Sequence, residues 1–233
     1  YRIPLTHILG DDGNGYYSTA NEIYTIILMI SSFSLPLAVS RLVAEREYAG
    51  EVKNSYKVLI CSLRFAAVTG GILSILTFLL GGVITKYVMG VELASYALRV
   101  LAPAIFLFAL TGVLRGFFQG HGTMVPTAVS QIIEQIINAI VSVAGAYVML
   151  QYGLKLGEKK GDAELGTALA AAGGTFGTVA SVGVALLFMI VIYLGYRNGF
   201  KRRMKKDKTR RRESDRAIYR AITYTILPIE LST

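Results

Sequence analysis

Apolar positions in this chain fall into long runs without the two-residue alternation of a half-buried strand. Residues 23–40 carry no charge and are interrupted only by Pro36, while residues 65–85 carry none and contain Gly70-Gly71 and Gly81-Gly82. Arg99 and Arg115 bracket 15 uncharged residues, residues 126–150 hold one carboxylate, Glu134, and residues 165–196 are 32 residues without a charge. A further run begins near Ile218. A hydrocarbon core about 30 Å thick is crossed by about 20 apolar residues in helix. Outer-membrane barrels would instead show segments of about 10 residues with period two. The pattern therefore predicts an all-α, polytopic membrane helix bundle with five complete spans and one partial span.

Three details refine this expectation. Pro36 is expected to kink the first span without ending it. Residues 100–114 reach full length if either flanking arginine extends its head to an interface. The 32-residue run is too long for one straight span and reads as a tilted helix plus part of a loop. Before the first span, Gly10-Asp11-Asp12-Gly13-Asn14-Gly15 is dense in turn-forming residues and is expected as a turn outside the membrane. Residues 1–9 would end a preceding helix, and Tyr16 and Tyr17 would sit at the interface. The chain starts at Tyr1 and stops inside an apolar run, so it is expected to be part of a longer membrane protein.

Composition agrees: 53% of the 233 residues are hydrophobic and 17% charged. The net charge of +9 has one address. Residues 197–220 hold 12 Lys and Arg against Asp207, Glu213 and Asp215, and the rest of the chain is balanced at 12 of each sign. Without interleaved aromatics, this segment reads as a loop against anionic lipid headgroups rather than a nucleic-acid site. Counted over alternate loops, one side of the membrane carries 18 Lys and Arg and the other six, which places the basic loops in the cytoplasm.

Polar residues inside the spans are the candidates for function, because a charge near the bilayer centre costs about 2.5 to 3.5 kcal/mol on insertion scales. Glu134 lies eight residues after Pro126 and shares a helix face with Thr127, Gln131, Gln135, Asn138 and Ser142. Such a stripe either lines a solvated cavity or bonds to other helices. A weaker stripe, Ser32, Pro36 and Ser40, continues toward Glu22 and Thr25, where hydroxyls can also satisfy themselves on their own helix. Arg41, Arg64, Arg99 and Arg115 end apolar runs, where they either snorkel to headgroups or offer forks to a phosphate group. Gly112, Gly116 and Gly120, and Gly173 with Gly177, are read as close-packing stripes. Cys61 is read as a packing residue, and the separated His7 and His121 leave no metal-ligand spacing, so no metal or cofactor is expected. No catalytic motif is present, which points away from an enzyme and toward a protein that moves something.

Four strings carry a family resemblance. They are Ile8-Leu9-Gly10-Asp11-Asp12-Gly13-Asn14-Gly15-Tyr16-Tyr17, Ser34-Leu35-Pro36-Leu37-Ala38-Val39-Ser40-Arg41-Leu42-Val43, Leu114-Arg115-Gly116-Phe117-Phe118-Gln119-Gly120 with Met124-Val125-Pro126-Thr127-Ala128, and Ser130-Gln131-Ile132-Ile133-Glu134-Gln135. In this order they resemble polysaccharide-transport proteins of the stage V sporulation protein B type. That group includes the Gram-positive lipid II flippases, in the multidrug/oligosaccharidyl-lipid/polysaccharide exporter superfamily. The resemblance implies two six-helix lobes around a central cavity that opens alternately to either side. Residues 1–196 would be the N-terminal membrane lobe, 197–217 the basic cytoplasmic connection, and 218–233 the start of the next helix, with a C-terminal lobe of the same protein as partner. It also implies a cationic cavity for the diphosphate of a polyprenyl-linked glycan, with Arg2, Arg41, Arg64 and Arg115 as counterparts and Gln131, Glu134, Gln135 and Asn138 as further lining residues. A coupling ion or the membrane potential would drive the cycle. Two other readings stay open: a multidrug cation antiporter with Glu134 as its ion site, and a non-transporting membrane part of a glycan-assembly system.

Overall fold

The computed structural model describes residues 2–31, 34–160, 164–207, 209 and 213–230, the side chains of 30, 31, 159, 160 and 227–230 excepted. Among the described residues seven helices run in order: α1 Arg2–Ser31, α2 Leu35–Tyr48, α3 Val52–Tyr87, α4 Ala94–Gly120, α5 Val125–Lys160, α6 Leu165–Lys206 and α7 Asp215–Glu230. No strand occurs among the described residues. The chain is a multi-pass helical membrane bundle, as the hydropathy pattern predicts.

Among the described residues four helices, α3 to α6, are long and apolar enough to cross a membrane, against the five complete spans expected. The difference lies at residues 23–40, which fall partly in α1 and partly in α2, with Pro36 in the first turn of α2 and residues 32 and 33 outside the described residues. Proline has no N–H to give to the preceding turn and is at home at a helix start. Pro103, by contrast, sits inside α4 without ending it. Pro36 also presses on α4, its Cγ lying 3.0 Å from where a Cβ on Gly112 would be. The 165–196 run is corrected as well: it forms no loop and belongs wholly to the 42-residue α6.

The expected six-residue turn at 10–15 shrinks to one residue. Gly10 takes φ 65°, ψ −173°, and residues 11–15 are already helical. A straight helix would put Arg2 and Thr25 about 35 Å apart at 1.5 Å per residue. Both line one cleft, so the chain folds back at Gly10. Glycine alone reaches that backbone region without strain.

At the centre stands α4, with 61% of its most apolar stretch buried, against 17% for α3 and 11% for α5. The glycine stripes explain the close approaches. A Cβ on Gly120 would lie 2.6 Å from the Val43 Cβ, and one on Gly116 would run into the Pro36 carbonyl, so α2 beds directly on α4. Gly145 faces Gly173 and Ser142 faces Gly177 with no room for a Cβ, which locks α5 to α6. Cys61 packs in the core with Leu59, Phe117 and Ile222. Outward, Ile72, Ile75, Leu79, Ile136, Ile140, Leu187 and Val191 are exposed, an apolar girdle suited to lipid.

One end of the bundle gathers the ends of α2, α4 and α6 and the start of α3. Arg46 Nη2 donates to Glu213 Oε2 at 2.9 Å, and Glu47 pairs with Arg203 and meets His121 Nε2 at 3.2 Å. The Asp207 carboxylate accepts the Lys53 N–H at 2.7 Å, capping the first turn of α3. Helix α7 rests on α3 and α2 through Ile218 and Ile222. The Arg210-Arg211-Arg212 triplet and Ser32 lie outside the described residues.

Candidate functional site

Short connections bring α4 and α5 together. His121 to Met124 form the turn, with Gly122 at φ 77°, so the end of α4 and the start of α5 run side by side. There the Arg115 Nη2 donates to Glu134 Oε2 at 2.7 Å and its Nε to Ser130 Oγ at 2.9 Å. Ser130 in turn donates to the Thr127 carbonyl at 2.7 Å. Arg115 is 6% exposed, and the Glu134 side chain 17%. Tyr24 of α1 is buried near enough to feel the Glu134 charge. Two residues that the sequence suggested separately, a terminal arginine and a mid-span carboxylate, thus form one buried ion pair. A pair this enclosed satisfies its own charge and leaves little for a ligand.

The rest of the α5 stripe divides. Thr127 and Ser142 are buried, Gln131 and Gln135 are exposed, and Asn138 lies between, its Oδ1 accepting from Ser142 Oγ at 2.8 Å. The stripe therefore follows the edge of the α5–α6 contact, part of it bonding within the protein and part of it open.

Asn138 opens onto a cleft of about 800 Å³ between the folded-back α1, α5 and α6. Arg2 and Glu22 supply its charges, with no partner for either among the described residues. Asn14, Ser18, Asn21 and Thr25 supply amides and hydroxyls from α1, and Thr178 a hydroxyl from α6. Several hydroxyl protons are already committed, Thr25 Oγ1 donating to the Asn21 carbonyl at 2.8 Å and Ser18 Oγ to that of Gly15 at 3.1 Å. Their oxygens remain acceptors, and the Arg2 fork is a donor for a phosphate or carboxylate. Of the expected site residues, Arg2 and Asn138 share this cleft, Arg115 and Glu134 pair with each other, and Arg41 stands apart. The Arg41 side chain is 71% exposed and bonds Glu45 one turn on at 3.1 Å. Arg64 belongs to a different cleft with Lys53 and Lys57.

Asn14, Ser18 and Asn21 were not among the expected lining residues. Their spacing of four and three, continuing to Thr25, is a helix face, and reading 10–15 as a turn outside the membrane concealed it.

The polysaccharide biosynthesis protein family matches residues 1–214, stopping where α7 begins. The chain belongs to that family. It is 28% identical to stage V sporulation protein B of Bacillus subtilis (strain 168) over 192 residues, 82% of this chain and 35% of that protein. Against the lipid II flippase MurJ of the same organism it is 29% identical over 159 residues, 65% of this chain and 29% of that protein. A third relative, the uncharacterized membrane protein YabM, is 34% identical over 132 residues, 57% of this chain and 24% of that protein. The chain thus spans a quarter to about a third of the length of these relatives. No solved structure matches it.

Proposed function

We propose that this chain forms one helical lobe of a flippase that carries a polyprenyl-diphosphate-linked glycan precursor across the cytoplasmic membrane by alternating access. The observation that carries the reading is the polar cleft of about 800 Å³ along α1 in a member of the polysaccharide biosynthesis protein family. Its amides and hydroxyls suit the hydroxyls of a sugar, and the Arg2 guanidinium suits phosphate oxygens. Similarity to a lipid II flippase supports a lipid-linked glycan as cargo. The end that gathers Arg46, Lys53 and Arg203 is the cytoplasmic one by its excess of cations. Transport belongs to the complete two-lobed protein, and this lobe supplies one wall of its cavity. For the cation-antiporter alternative, Glu134 would have to exchange ions, whereas its carboxylate is already engaged by Arg115 at 2.7 Å.

Genetic complementation tests the proposal. The full-length protein should sustain growth of cells depleted of their lipid II flippase, and an Arg2→Ala version expressed at equal level should lose that rescue. Absence of rescue by the unaltered protein would remove lipid II as cargo. Undiminished rescue by Arg2→Ala would remove this cleft from the transport path.

A further inference from the structure

Between α3, α4 and α6, on the half of the bundle away from Arg46, Lys53 and Arg203, lies a crevice of about 560 Å³. It holds one charge, Arg99, and one hydroxyl, Ser74, and is otherwise apolar. Helix register fixes the depth of its walls. Helix α3 runs antiparallel to α4, with Gly82 against Arg99 and Gly70 against Ala109. Helix α6 runs parallel to α4, Thr175 Oγ1 donating to the Ala97 carbonyl at 3.3 Å and Gly183 lying against Leu107. Val100 and Pro103 of α4, Leu79, Phe78 and Ile75 of α3, and Val179 of α6 therefore all lie on the side of Arg99 that faces the middle of the apolar runs. From Gly82 to Ile75 the wall descends about 10 Å at 1.5 Å per residue.

Arg99 does not reach outward. Its side chain crosses to α3, Nη2 lying 3.2 Å from where a Cβ on Gly82 would be and Cγ 3.7 Å from one on Gly81. The polar edge of this end is marked by Lys86, four residues beyond Gly82, which pairs with Glu92 at 2.9 Å. The guanidinium is thus held about 6 Å inside the uncharged run of α3, exposed on the outer face of the bundle and without a partner among the described residues. A charge drawn inside an apolar run calls for a counter-charge or water. An amphiphile that brings an anionic head to Arg99 and a chain to the walls beneath it answers both surfaces. A soluble anion would draw nothing from Phe78, Leu79 and Pro103.

We propose that this crevice binds an anionic phospholipid, its phosphate on Arg99 and one acyl chain descending between Leu79 and Pro103 toward Ile75. The lipid belongs to the leaflet opposite the basic end, and Gly81 and Gly82 leave the room that holds the guanidinium over its headgroup. The site is separate from the polar cleft and stands whether or not that cleft carries a glycan.

The test places the full-length protein in phosphatidylcholine nanodiscs containing a little phosphatidylglycerol with a photoactivatable acyl chain, and maps the labelled peptides. Label is expected on α3 around Phe78 and on α4 around Pro103. Arg99→Gln should lower it about fivefold, the factor one basic side chain contributes near an anionic lipid surface. Ser74→Phe keeps the charge and fills the floor of the crevice, and should lower the label too. Lys86→Gln removes a cation from the same end but outside the crevice, and should leave labelling intact. Equal loss in Lys86→Gln and Arg99→Gln would overturn the proposal in favour of diffuse surface charge. Undiminished label in Arg99→Gln or in Ser74→Phe, or equal labelling by a phosphatidylcholine probe, would also overturn it. So would an unlabelled crevice, which would mean that another part of the full-length protein covers it. Full competition by millimolar inorganic phosphate would reassign Arg99 to a soluble anion.

Discussion

The polar cleft along α1 and the basic cleft around Lys53, Lys57 and Arg64 differ in what builds them. The polar cleft carries one cation, Arg2, and one carboxylate, Glu22, among amides and hydroxyls, and its walls are long helices locked by glycine contacts. The basic cleft carries five cations, and ion pairs and backbone carbonyls between helix ends hold its walls. Charge counting along the chain finds the second at once and passes over the first. Yet the first has the amides and hydroxyls that suit the glycan proposed as cargo. Net charge therefore gathers at one end of this protein, and neutral polar side chains gather along α1, where the proposed path would run.

If that contrast is right, the polar cleft depends on buried scaffolding and the basic cleft does not. The sharpest way to break it is Arg115→Ala, which strands the Glu134 carboxylate between α4 and α5. Removing one partner of a buried pair costs about 3 to 5 kcal/mol. Thermal unfolding in detergent should show the largest loss of any variant considered, and Arg115→Met with Glu134→Leu together should recover most of it. A single variant as stable as the parent would mean that the pair is solvated in the membrane and free for a ligand.

Gly173→Val comes next. A Cβ there collides with Gly145, so α5 must move off α6, at a cost of about 1 to 3 kcal/mol for overpacking. Because Asn138 and Thr178 of the polar cleft lie along this seam, labelling of a cysteine placed at Asn138 should change as well. The basic cleft, built from α3, α6 and α7, should keep its ion pairs and with them its resistance to proteolysis. Parallel losses in both clefts would show that they are one mechanical unit.

Much of this architecture was legible in the sequence. The uncharged runs located α3 to α6 because nothing but burial in lipid or protein accommodates so long an apolar stretch, and the Gly112, Gly116 and Gly120 spacing marked a close-packing face, which the structure fills with α2. Less legible was what depends on which neighbours a helix meets. Pro36 and Pro103 look alike in sequence, yet only Pro36 starts a helix, in contact with the glycines of α4. Arg115 and Glu134 each had an expected role alone, and only the tight turn at 121–124 reveals that they pair. Fold-back at Gly10 makes a polar face of Asn14, Ser18 and Asn21, because one glycine does the work assigned to six residues.

The mildest effect falls on the connection that walls the basic cleft, and its signature is acid sensitivity. Partial desolvation raises the Asp207 carboxyl, but the Thr209 hydroxyl and the backbone N–H groups of Lys53 and Thr209 outweigh it and hold Asp207 below its ordinary value of 3.8. The Lys57 hydrogen bond and charge, with Arg64 adding to them, hold Asp215 below 3.8 too. A carboxyl whose pKa is lower in the folded state stabilises it above the unfolded value, and that contribution is lost as pH falls through the folded one. The contacts of Asp207 and Asp215 with α3 should therefore hold unchanged from neutral pH down to about 4 and weaken below it. Asp207→Asn with Asp215→Asn should flatten this acid dependence, while the Arg115–Glu134 region responds alike in both proteins. Proteolysis of the 207–215 connection against pH measures the first, and a cleavage profile identical in parent and double variant would show that these carboxylates do not hold it. Ion pairs this exposed are screened by salt, so raising the ionic strength should mimic the double variant, an effect a glycine-locked seam cannot show.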